Sequence, residues 1–87
     1  MNSLGKILKE KREKVGFSQA EVSKKLGYSS PQFVSNWERG LSTPPVTSLR
    51  SIAQLYKIPP DQLFQIYLKT TLKNIEADLR KKFSKRR

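Results

Sequence analysis

Gln32 and Asn36 stand four residues apart in SPQFVSNWERG, with Ser30 and Ser35 close by. Each carboxamide carries an acceptor and a donor side by side. At helical spacing the two share a face, so together they can recognise a partner that offers complementary hydrogen-bonding edges. That chemistry is recognition, not bond making. The 87 residues include no histidine and no cysteine, the serines lack a neighbouring base to activate them, and no Gly-rich phosphate loop occurs. No enzymatic activity is expected, and no cofactor or small-molecule substrate is implied. The scattered carboxylates assemble no metal cluster. Glu10 and Glu13 form an acid/base pair only on paper, because Lys6, Lys9 and Lys14 surround them and i, i+4 ion pairing accounts for them better.

The elements that must hold the two carboxamides are short helices. Ser18 with Glu21 three residues on is a capping box, in which hydroxyl and carboxylate each satisfy a free backbone N–H. Val22 and Leu26 share a face of the helix that follows. Gly27 permits a sharp turn, and Ser30-Pro31 supplies a cap and a first residue for the next helix, which Gly40 stops. On that helix Phe33, Val34 and Trp37 are expected inward, with Gln32, Ser35, Asn36 and Arg39 outward. Trp37 could stack on a base, but its face assigns it to the core.

Around this pair the pattern stays helical. Leu4, Ile7, Leu8 and Val15 predict a first helix over about Leu4–Lys14, capped by Ser3 and stopped at Gly16. Pro44-Pro45 begins a fourth helix whose apolar face is Val46, Leu49, Ile52, Ala53 and Leu55 or Tyr56. Pro60 and Asp61 suit the start of a fifth helix. It has no glycine or proline as far as Phe83, which allows about 36 Å of continuous helix. Leu63 and Phe64 are expected to close the core. Leu68, Leu72, Ile75 and Leu79 then form a heptad-like stripe that stays wet unless something covers it.

Composition bounds the partner. With 18 Lys and Arg against 7 Asp and Glu, the formal charge is +11, which suits a polyanion. Residues 1–60 carry +6 and residues 61–87 carry +5. The final KKFSKRR holds Lys81, Lys82, Lys85, Arg86 and Arg87, readable as a solvated tail, a phosphate clamp or a tether to a membrane surface. A hydrophobic content of 36% supports a folded domain. Without cysteine, neither disulfides nor the usual zinc sites can brace it, so helix packing must. No apolar run approaches 18 residues and no secretory signal is legible, so no membrane partner and a cytoplasmic location, at the nucleoid, are expected.

SQAEVSKKLG, NWERG, the following Ser-x-Pro-Pro and IPPDQLF together resemble the Cro and C1-type helix-turn-helix domains, the XRE-like group of phage and bacterial regulators. The resemblance covers about Leu4–Phe64. It implies an all-α, compact five-helix, lambda-repressor-like domain over residues 1–66, with an extended C-terminal helix and basic tail over 67–87. It also implies a third helix lying in the major groove of double-stranded DNA. Carried over by position, Gln32 and Asn36 face base edges, with Ser35 beside them and Ser30 at the helix start. Gln19 and Ser18 at the second helix, and Arg39, Ser42 and Thr43 after the third, would approach phosphates. Tyr28 either packs or reaches a phosphate. Arg12 and Glu38 match a pair that in relatives often bridges the first and third helices. One departure stands out: Gly27 to Gly40 is one residue longer than the commoner form, and the extra residue falls within Tyr28–Pro31.

The reading that follows is a sequence-specific transcriptional regulator acting as a homodimer on a two-fold DNA site, paired through Leu68, Leu72, Ile75 and Leu79. Two other classes stay open at this point. One is an interaction module, such as a toxin-binding antitoxin or a transcription adaptor. The other is a nucleoid-associated protein that coats DNA with little sequence preference.

Overall fold

The structure, a computed structural model, describes residues 3–85, with Ser3 by its backbone alone; Arg86 and Arg87 of the basic tail lie outside the described residues. Five helices follow in order: α1 (Ser3–Val15), α2 (Gln19–Lys25), α3 (Gln32–Arg39), α4 (Leu49–Tyr56) and α5 (Pro60–Ser84). The fold is all-α, and no strand occurs among the described residues. Ser3, expected as a cap, is instead the first residue of α1.

The core is built where the helical faces meet. Leu4 and Leu8 of α1, Val22 of α2, Val34 and Trp37 of α3, Leu49, Ile52, Ala53 and Tyr56 of α4, and Leu63 of α5 are buried together with Ile58. Burial of each large side chain contributes roughly 1.5–3 kcal/mol. α1 lies across α3, α4 and α5. A glycine makes that approach possible: a Cβ on Gly5 would sit 2.6 Å from the Glu38 carbonyl oxygen and 2.7 Å from that of Trp37, closer than atoms pack.

Three expectations about this core are corrected. Phe33 does not point inward but is 50% exposed. Tyr28 of the α2–α3 turn packs against it, with ring centroids 4.8 Å apart, and Tyr28 in turn meets Trp37 edge-on at 5.8 Å. Phe64 is likewise exposed rather than closing the core, because it lies a quarter turn round α5 from Leu63 and stacks on Tyr67 instead. Val46 belongs to a 3-10 turn (Val46–Ser48) and is exposed. Pro45 is held extended at φ −59°, ψ 142°, so α4 starts only after that turn.

α5 is unbroken through residue 66. Leu63 and Thr70 are buried, Ile66, Tyr67 and Thr71 half-buried, and every described residue from Leu72 onward is exposed. The helix therefore packs for three turns and projects for about as many again. Its free part carries the ion pairs Arg80–Glu76 at 2.9 Å and Lys82–Asp78 at 3.0 Å, both at i, i+4.

Candidate functional site

α2 is fixed at its start by the reciprocal cap. Ser18 Oγ accepts the Glu21 N–H at 3.0 Å and the Glu21 carboxylate accepts the Ser18 N–H at 2.8 Å. The Ser18 backbone N–H, and after it the Ser18 hydroxyl, hold the Glu21 carboxyl below its ordinary pKa. After Gly27, at φ 89°, the Tyr28 N–H returns to the Ser23 carbonyl at 2.9 Å and closes the turn. Pro31, not Ser30, occupies the cap position of α3, so the expected start is one residue early. Ser30 still acts from outside it: its hydroxyl accepts the Gln32 N–H at 3.3 Å. At the other end Gly40 takes φ 78° and the Leu41 N–H bonds back to the Asn36 carbonyl at 2.9 Å.

Beneath α3 lies a charged clamp. Arg12 donates to Glu38 through Nε at 2.6 Å and Nη2 at 3.1 Å, and through Nη1 to the Phe17 carbonyl at 2.8 Å. The Glu38 side chain is 4% exposed and that of Arg12 10%, so this is a buried fork in which each group is satisfied. The hydrogen bond to Glu38 raises the guanidinium pKa further. Gln19 joins from α2, its Nε2 donating to Glu38 Oε1 at 2.9 Å. Nothing in the spacing foretold that contact. It ties the start of α2 to α3 and leaves Gln19 one amide N–H for another acceptor.

The outer face of α3 is a hydrogen-bonded row. Gln32 Nε2 donates to Asn36 Oδ1 at 2.9 Å, Arg39 Nη2 donates to the same oxygen at 2.9 Å, and Arg39 Nε donates to Ser35 Oγ at 3.2 Å. Because a guanidinium only donates, Asn36 must turn its carbonyl toward Arg39, and Gln32 must then present its NH2 to that oxygen. Asn36 Nδ2, Gln32 Oε1 and the second N–H of Gln32 Nε2 are left over for a partner. Gln32 and Arg39 are exposed, Ser35 and Asn36 half-buried. Ser42, exposed, and Thr43, half-buried, continue the chain beyond Gly40.

A family profile described as "Helix-turn-helix" matches residues 8–63. The chain belongs to the helix-turn-helix family, in its Cro/C1 type. Among curated proteins it is similar to the "HTH-type transcriptional regulator ImmR" of Bacillus subtilis (strain 168), with 39% identity over 61 residues, covering 70% of this chain and 47% of that protein. The chain thus spans about half the length of that relative. Within the helix-turn-helix frame, α2 and α3 are the paired helices and the polar row lies on the second of them. No helix among the described residues is long and apolar enough to cross a membrane.

Proposed function

We propose that this protein is a sequence-specific regulator of transcription that binds double-stranded DNA, with α3 in the major groove and the polar row of that helix reading base edges. Gln32 keeps a free acceptor beside a free donor, which matches the N6 and N7 edge of adenine. Asn36 offers donors to an acceptor edge. Ser35 and Ser30 supply hydroxyls at the flank and start of the helix. Ser18, Gln19, Tyr28, Arg39, Ser42 and Thr43 make the phosphate contacts that set register. The observation that carries the reading is the ordered Gln32–Asn36–Arg39 row on a short glycine-ended helix of a helix-turn-helix family member.

A single domain of this size covers little DNA, so two copies act on a two-fold site with half-sites about 34 Å apart. The exposed stripe Leu68, Leu72, Ile75 and Leu79 joins them. The net charge of +11 supplies the sequence-independent part of affinity and makes it fall steeply with salt. The protein works at the nucleoid, in the cytoplasm.

Selection of binding sites from random duplexes by the purified chain tests this. A recovered motif with two related halves is the expected result. Recovery of no motif, with affinities for selected and random duplex within about tenfold at fixed salt, would replace reading with coating.

A further inference from the structure

We infer that two copies of this chain pair through α5 in antiparallel fashion, about a point midway between Lys73 and Asn74. The inference rests on the homodimer reading above and adds its direction, its register and the seat of its end residue.

The large exposed apolar residues of α5 are Phe64, Leu68, Leu72, Ile75, Leu79 and Phe83, separated by four, four, three, four and four positions. At about 100° per residue they occupy one strip roughly 100° wide, on the far side of the helix from Leu63 and Thr70. A second helix can therefore run along the strip, meeting the domain to which α5 is attached only at the Phe64 end, where Val46 and Leu49 lie beside it. The run of gaps reads the same from either end. Laid antiparallel, Phe64 faces Phe83 of the second copy, Leu68 faces Leu79, and Leu72 faces Ile75, with Gln65 and Lys82 at the two edges of the seam.

Charge selects that direction over the parallel one. The described residues 80–85 contain four basic residues, Arg80, Lys81, Lys82 and Lys85, and no acidic one. A parallel pair sets these ends side by side. An antiparallel pair sets each against residues 62–67 of the second copy, which contain no Lys or Arg. Lys69 and Glu76 lie on the same flank of the strip, and in antiparallel pairs like flanks meet. Each Lys69 then adjoins Glu76 of the second copy, twice by symmetry, whereas the parallel arrangement brings opposite flanks together and loses this pairing. Phe83, 90% exposed, is also delivered to a waiting space. The residue it faces, Phe64, lines a cleft of about 300 Å³ together with Val46, Leu49 and Pro60, with Arg50 and Asp61 at its margin.

The chain has no cysteine, so introduced thiols report pairing cleanly in the full-length protein. Leu68→Cys and Leu79→Cys are prepared separately, sedimented at tens of micromolar and oxidised mildly, alone and as a mixture. Both sites are on the exposed face, so the domain itself keeps its core. The expected result is dimer in sedimentation, and disulfide in the mixture at least tenfold above either variant alone. Self-linking of each variant alone would show a parallel pair, overturning the antiparallel assignment while leaving a homodimer through α5. Monomer throughout, for the unmodified chain as well, would remove the α5 dimer itself without touching the reading of DNA by α3. A charge exchange gives a second measure: Lys69→Glu weakens dimerisation severalfold and Lys69→Glu/Glu76→Lys restores it. Equal weakening by both would also overturn the proposal.

Discussion

Glu38 receives three N–H donors from two other helices or their flanks, and this makes it the residue on which the setting of α3 depends. Arg12 and Gln19 both converge on its carboxylate. With the Glu38 side chain 4% exposed, removing Arg12 strands a buried negative charge. Arg12→Ala is expected to cost about 3–5 kcal/mol, as for other broken buried pairs, while Arg12→Met with Glu38→Leu costs less than that single change because no charge is left behind. Urea unfolding midpoints at equal m-values compare the two. A double variant less stable than Arg12→Ala would mean that the fork contributes net attraction beyond the cost of an orphaned charge. The pairing of these residues was legible only through the family pattern. The third donor was not, since a glutamine at a helix start has the same sequence signature whether it faces solvent or a carboxylate 19 positions on.

At the scale of the elements, Gly5 explains why α1 and α3 lie so close. Glycine inside a helix normally costs about 1 kcal/mol against alanine, so propensity alone favours Gly5→Ala. The alanine methyl would press on the carbonyls of Trp37 and Glu38 at 2.7 and 2.6 Å, both backbone atoms that cannot swing aside. Gly5→Ala is therefore expected to lower stability by about 1–3 kcal/mol, in line with other overpacked contacts, measured by denaturant titration. A neutral or stabilising outcome would show that the helices separate easily. The helices themselves were readable from apolar spacing, capping residues and proline punctuation, and each begins and ends within a few residues of its expected place. The side chains at the edges of faces were not: Phe33, Phe64 and Val46 fit the periodicity yet remain exposed. Periodicity gives a direction round the helix, but not whether a neighbour such as Tyr28 already fills the space.

For the whole molecule, the helix-turn-helix core carries the polar row of α3, and the projecting half of α5, continuous as expected from Pro60 onward, carries an exposed apolar strip and basic residues. The polar row on α3 was legible as to residue type and face. Its internal order was not, because it arises from the donor-only chemistry of Arg39 forcing the orientation of Asn36 and so of Gln32. The measurement that bears most directly on the central claim is the base preference, position by position, of the unmodified chain and of Gln32→Ala and Asn36→Ala on a selected duplex at fixed salt. Each substitution is expected to flatten discrimination at its own base pair by about 1–3 kcal/mol while preference elsewhere holds. A uniform loss of affinity, with the order of preferred bases unchanged at every position, would contradict the account.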